Sequence, residues 1–258
     1  MIRHFLATAL FAGLLSGLIV TGLQQATTTP LIAQAETFEA AASAQPAAAA
    51  PDHPAHDPGA THGPDTAAQE RGHAHGAASG WAPADGIERL LFTALANVIA
   101  GVGFGFVLVA CLALWNGPAT GRTGVLWGLA GFAVFTLAPS LGLPPEIPAT
   151  NAGDLMARQI WWIATAAATA AGLWLLVFPR KPLSSAAGIV ALALPHIFGA
   201  PHPSELSTLV PAELSARFTS ASIVTSAVFW VCLGWLAGAF YGRSALAAEA
   251  GRKLGHAA

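Results

Sequence analysis

The sequence predicts an all-α integral membrane protein: a bundle of about six transmembrane helices, five if the first is cleaved, with a disordered histidine-containing loop on its outer side. Three observations predict it. Charged residues make up 9% and hydrophobic residues 54% of the 258 positions, whereas about 25% of a soluble domain is charged. Such a chain cannot cover a water-facing surface. The apolar residues form long runs without alternation, which excludes barrel strands and suits helices apolar on every side. Lys and Arg also sort by loop, as they do in polytopic proteins.

A span needs about 20 apolar residues. Residues 5–23 contain no charge, and neither do 90–121, whose apolar heart is 90–115. Residues 123–145 follow, with 124–141 as the useful part, then 159–179 and 218–242. The shorter run 183–199 ends around Pro195-His196 and counts as the sixth span. Four runs carry G-x-x-x-G: Gly13 and Gly17, Gly101 and Gly105, Gly124 and Gly128, Gly234 and Gly238. That spacing lets two helix backbones approach closely in lipid. The predicted order is a first transmembrane helix at 1–23 and a periplasmic loop at 24–89, disordered over 40–80. A five-helix transmembrane bundle at 90–242 and a cytoplasmic tail at 243–258 complete it.

Six spans put Arg3, Arg122, Arg180, Lys181, Arg243, Arg252 and Lys253 on one side, and Arg71, Arg89, Arg158 and Arg217 in the longer loops of the other. The positive-inside rule makes both termini cytoplasmic. All acids except Glu249, and seven of nine histidines, then fall outside. Ala33-Gln34-Ala35 resembles a signal-peptidase site. The preceding apolar run is long for a signal peptide and ends well before that site, so an uncleaved first span is expected.

Between Glu39 and Trp81 there is no Val, Ile, Leu, Met, Phe, Trp or Tyr. Such a segment cannot bury enough apolar surface to offset the entropy of ordering it, so it reads as a tether. It carries His53, His56, His62, His73 and His75, flanked by Asp52, Asp57 and Asp65. Imidazole is a common metal ligand, and loose spacing on a flexible chain suits weak, exchangeable capture better than a rigid zinc site.

Several groups gather where the bundle should meet the outer side. Asp85 and Glu88 have capping-box spacing at the second span. Asn97 lies about two turns in, as interhelical glue or as a lumen-lining ligand. Four prolines between Pro139 and Pro148 end the third span. Asp154 and Arg158 have the i, i+4 spacing of a pair on one helix face. In Leu194-Pro195-His196-Ile197-Phe198-Gly199-Ala200-Pro201-His202-Pro203, Pro195 should stop a helix. His196 and His202, with Glu205 and Glu213, could form a divalent-cation site at the outer mouth. Taken singly, each histidine could equally be an interfacial group bonded to a carbonyl.

Other classes fall away. A net charge of −2 with no basic stripe argues against nucleic acid. Cys111 and Cys232 sit in apolar runs and make no disulfide framework. No P-loop, H-E-x-x-H, G-x-S-x-G or dinucleotide fingerprint occurs. The chain reads as a non-enzyme without a cofactor, whose partners are a metal ion and membrane lipid.

One resemblance adds to this. It is carried by Met1-Ile2-Arg3 with its Gly-rich first span, the His-bearing loop and Trp81-Ala82-Pro83-Ala84-Asp85-Gly86. Gly142-Leu143-Pro144-Pro145-Glu146, Arg158-Gln159-Ile160-Trp161-Trp162, Pro195-His196 and Ala200-Pro201-His202-Pro203 carry it further. These resemble the CbtA family of probable cobalt transporter subunits, over nearly the whole chain outside the variable loop. The resemblance implies a multi-pass subunit in the inner membrane of a bacterium, moving cobalt from periplasm to cytoplasm for cobalamin synthesis. It also implies a small one-span CbtB-like partner with its own His-rich end. A second reading is a membrane-anchored sensor or scaffold that delivers metal to a separate permease. His and carboxylate ligands bind nickel, copper or zinc at least as well as cobalt, so cobalt comes from the resemblance alone. The topology predicts that Ala60→Cys reacts with a membrane-impermeant maleimide in whole cells; silence there, with labelling of Arg122→Cys, would reverse the orientation.

Overall fold

A computed structural model describes residues 2–44, 83–115, 117–148, 150, 153–203 and 208–255, with side chains up to 243. Among these the chain forms α1 (Ile2–Ala26), α2 (Thr28–Ala44), α3 (Ile87–Leu114), α4 (Gly121–Ser140), α5 (Leu155–Val177), α6 (Pro182–Phe198) and α7 (Ala212–Gly255). The fold is an all-α membrane bundle. Five segments are long and apolar enough to cross a bilayer: α1, α3, α4, α5 and the Ala212–Arg243 part of α7. Helix α6, the sixth apolar run, has 17 residues, about 26 Å at the α-helical rise and just short of a ~30 Å hydrocarbon core.

Local chemistry sets the helix ends, in places against expectation. Pro30 cannot donate to the Ala26 carbonyl, and α1 gives way to α2 there. Helix α2 runs on to Ala44, through residues expected to belong to the outer loop. Its last turns are Ala40-Ala41-Ala42-Ser43-Ala44, and alanine favours helix without needing apolar burial. The capping box expected at α3 is redistributed. Gly86, at φ 88°, is the cap residue; the Ala84 N–H donates to Glu88 at 3.2 Å, while Asp85 pairs with Arg89 at 3.2 Å. Asp154 likewise caps α5, accepting from the Ala157 N–H at 2.6 Å, and Arg158 reaches Glu146 at 2.9 Å. Pro195 does not stop α6, which continues one turn to Phe198. Its carbonyl accepts the Gly199 N–H at 3.1 Å and the Trp161 indole N–H at 3.3 Å. Gly199, at φ 80°, then ends the helix. Helix α4 contains one widened π-turn at Ala133–Leu137, ahead of the buried Pro139.

Glycines bring the helices together. A Cβ on Gly13 would strike the Val102 backbone, and one on Gly17 would lie 2.7 Å from the Val98 Cα. Reciprocally, a Cβ on Gly105 would lie 2.8 Å from the Ala9 carbonyl oxygen. The pairing runs in opposite directions along α1 and α3. Gly124 and Gly128 meet Gly234 and Trp230 in the same antiparallel way on α4 and α7, with Gly238 against Thr120. All four G-x-x-x-G pairs are thus used, two per seam. A third close approach joins α5 and α6, where a Cβ on Gly172 or Gly188 would lie 2.9 Å from the other's carbonyl oxygen.

The seams frame an aromatic core. Phe104 lies 4.7 Å from Trp230 and 5.1 Å from Phe135 between ring centroids, and Trp230 stacks on Phe135 at 5.7 Å. The Trp230 indole donates to Thr136, inside the π-turn, at 3.3 Å. At the opposite end from Arg3, Arg122, Lys181 and Arg243, a second cluster packs Ala35, Ile147, Val210 and Leu214 against Leu31 and Phe218. It ties α2 to the connections before α5 and α7.

Adding bulk to a seam should therefore unseat it. Gly13→Leu or Gly124→Leu should lose about 1–3 kcal/mol or more through overpacking and leave less monodisperse protein on detergent extraction. Gly103→Leu should behave like the parent, because nothing lies within 4 Å of that position. Equal behaviour of all three in thermal aggregation would show that the seams are not what holds the bundle.

Candidate functional site

Toward the acidic end, α1, α2, α3 and α7 part around a cavity of about 840 Å³. Its walls are polar stripes on otherwise apolar helices. Helix α3 and its approach present Asp85, Arg89, Thr93 and Asn97 at i, i+4 intervals. Helix α7 presents Ser222, Thr225 and Ser226; α1 and α2 supply Gln24, Gln25, Thr28, Thr29 and Glu36. Residues four apart share a helix face, so each stripe points one way. From Asp85 to Ala100 the wall is about 22 Å long at the helical rise. Phe229 forms its deep end and packs on Phe104 and Trp230, with centroids 6.5 and 5.7 Å away. The cavity is half-open, and the aromatic core packs behind Phe229.

In lipid every polar group must find a protein partner or water, and Asn97 shows how this is met. Its amide donates to Gln24 Oε1 at 2.6 Å and to Thr21 Oγ1 at 3.0 Å. Thr21 in turn donates to the Gly17 carbonyl at 2.8 Å. Asn97 thus binds α3 to α1 from a place in the cavity wall. At the α1–α2 junction the Thr27 hydroxyl lies 3.4 Å from that of Thr225 on α7. Near the rim Arg89 holds Glu36 with both terminal nitrogens, Nη2 to Oε1 at 2.9 Å and Nη1 to Oε2 at 3.2 Å.

The donors are carboxylate, amide and hydroxyl oxygens, a set that suits a hydrated or partly hydrated divalent cation. Two carboxylates against one guanidinium leave the wall anionic.

The histidines stand elsewhere. His196 is half-buried on the last turn of α6, its ring edge-on to Trp161 at 6.0 Å. His202 is exposed, and Glu213 is exposed and paired with Arg217 at 2.8 Å. None of the three lines the vestibule. Among the described residues no three His, Cys, Asp or Glu side chains group as a metal site. Glu205 and the loop histidines His53, His56, His62, His73 and His75 lie outside the described residues. Residue-by-residue reading missed Gln24, Gln25, Thr28, Glu36, Ser222, Thr225 and Ser226. The signal available was periodic: Thr219, Ser222 and Ser226 recur along one face of α7, as Asp85, Arg89, Thr93 and Asn97 do on α3.

Five helices long and apolar enough to cross a bilayer, with polar stripes lining a half-open cavity between four elements, define a polytopic membrane protein. The family model described as CbtA, probable cobalt transporter subunit, matches residues 2–242. The chain belongs to that family. No curated protein and no solved structure matches it.

Water should reach the vestibule and stop at its floor. With Cys111 and Cys232 replaced by alanine, Ser226→Cys should react with a small charged methanethiosulfonate, and Leu233→Cys, fully buried beneath the floor, should not. Equal protection of both would mean the vestibule is dry.

Proposed function

We propose that this chain is the membrane subunit of a cobalt uptake system that moves the ion from periplasm to cytoplasm across the inner membrane of a bacterium, in support of cobalamin synthesis. A small one-span CbtB-like protein is its partner. The observation that carries this reading is the anionic vestibule, in a chain of the CbtA family. The basic end faces the cytoplasm by the positive-inside rule, so the vestibule opens outward.

The loop histidines His53, His56, His62, His73 and His75 raise the local metal concentration. His196 and His202, with Glu205 or Glu213, take the ion at the outer mouth, and Asn97 lines its route. One contact supports an ordered His196: its ring lies edge-on to Trp161, 6.0 Å between centroids. Helix α1 stays in the mature protein, because cleavage would remove one wall of the vestibule and half of a glycine seam. The second reading is a metal-binding scaffold that passes ions to a separate permease.

Accumulation of radioactive cobalt in cells carrying the chain, with and without its partner, separates the two. Uptake that needs the chain supports transport; binding without accumulation supports the scaffold. His196→Ala and His202→Ala should each raise the half-saturating cobalt concentration by about tenfold or more, as loss of support at a metal site does. Acidification should do the same in the parent, since metal requires neutral imidazole. Parental affinity in both variants would return these histidines to an interfacial role.

A further inference from the structure

A hydroxyl inside a helix can turn back to the carbonyl four residues earlier, and Ser16, Thr21, Thr93 and Thr169 all do so. Thr165 on α5 does not. It is 0% exposed, and among the described residues its Oγ1 is the one buried side-chain polar atom without a hydrogen-bond partner. Two contacts fix its place. Deeper along α5, Gly172 meets α6 with no side chain between, since a Cβ there would lie 2.9 Å from the Gly188 carbonyl oxygen. One turn before Thr165, the Trp161 indole stands between the two helices and donates to the Pro195 carbonyl at 3.3 Å. Residues 161, 165 and 172 share one helix face. Thr165 therefore lies in a wedge that opens from backbone contact to the width of an indole. Across the wedge, Gly188, Leu192 and Pro195 make those contacts, and Ala191 lies among them on the same half-buried face of α6. Pro195 has no N–H, so the Ala191 carbonyl loses its helical donor.

We propose that Thr165 and the Ala191 carbonyl hold one buried water between α5 and α6. The water donates to the carbonyl that Pro195 leaves without a donor, and it meets the Thr165 hydroxyl with a second bond. Proline inside a membrane helix is tolerated where a neighbouring hydroxyl or an ordered water answers the freed carbonyl. Here the hydroxyl by itself reaches no acceptor, so the water completes the link. Two polar partners meet the minimum that a buried water needs. Ala191 brings only a methyl group to the wedge, which leaves room for one small molecule. The bridge braces the last turn of α6, the turn that bears His196. It holds whether or not the vestibule carries metal. A dry, unpaired hydroxyl at the same place would only cost stability.

The test is a mutant cycle on the purified full-length chain, read by the midpoint of thermal unfolding. Thr165→Val keeps the shape and removes the hydroxyl. It should lower the midpoint by about 2–4 °C, the shift expected for one lost hydrogen bond in a chain of this size. Pro195→Ala returns an N–H to the Ala191 carbonyl, and in that background Thr165→Val should lower nothing. X-ray hydroxyl-radical footprinting, which labels side chains beside bound water, should oxidise Leu192 or Pro195 in the parent and neither in the Thr165→Val protein. A midpoint left unchanged or raised by Thr165→Val would overturn the proposal, because that is what removing an unpaired buried hydroxyl does. Equal loss in both backgrounds would also overturn it, by separating the hydroxyl from the freed carbonyl. A coupled loss without labelling would put a direct bond in place of the water and overturn the site as well. Should the Pro195→Ala protein fail to fold, the Thr165→Val midpoint and the labelling decide by themselves.

Discussion

Where α1 meets α3, and where α4 meets α7, backbone touches backbone with no side chain between. Ordinary helix pairs stand about 8–10 Å apart, with side chains in the gap; a glycine seam removes that gap and replaces it with continuous contact. In lipid there is no hydrophobic drive to press helices together, so this packing is the main source of cohesion. The vestibule lies toward the acidic ends of the seams. On α1 the seam stops at Gly17 and the wall starts at Val20; on α3 the backbone contact runs on past Gly101 to Val98 and Asn97, where seam and wall overlap. On α7 Gly234 and Trp230 lie in the seam, while Phe229, Ser226 and Thr225 lie in the wall. Close packing at the basic end and separation at the acidic end follow from one placement of glycines.

That division also decides where polar groups can sit. Deep in the bundle, Ser16 donates to the Ala12 carbonyl at 2.7 Å and Thr169 to the Thr165 carbonyl at 2.8 Å, while the Thr165 hydroxyl is buried with no hydrogen-bond partner among the described residues. Farther out, Asn97 finds two side-chain partners across a helix interface. At the rim, full charges occur, and they occur paired. The polar groups thus grade from hydroxyl to amide to ion pair toward the acidic end.

Much of this was legible in the sequence and some was not. The G-x-x-x-G pairs marked both seams because glycine's lack of a side chain is a local property, readable at each position. Their partners were not readable, since antiparallel pairing between α4 and α7 joins positions about a hundred residues apart. The helix through Ala40-Ala41-Ala42 was hidden by the expectation that order requires apolar burial; alanine helices do not need it. Capping was misassigned at Asp85 because spacing permits both a cap and an ion pair, and Asp85 pairs with Arg89 while Glu88 takes the Ala84 N–H. The vestibule stayed hidden because its polar residues are single and mild, distributed over four elements, whereas the histidines drew attention by being concentrated. Asn97 was the exception: an amide within a span has to be answered, and its answer lies in the vestibule wall.

The central claim is that cobalt passes through the space between α1, α2, α3 and α7. Purified chain and partner reconstituted into vesicles with a cobalt-quenched dye inside would test it most directly, comparing the parent with Ser226→Trp, which fills the vestibule from one wall without touching a seam. The account predicts quenching in the parent and none in the filled variant, with both proteins inserted and folded to the same extent. Quenching at the parental rate through the filled variant would contradict it and place the route elsewhere in the bundle.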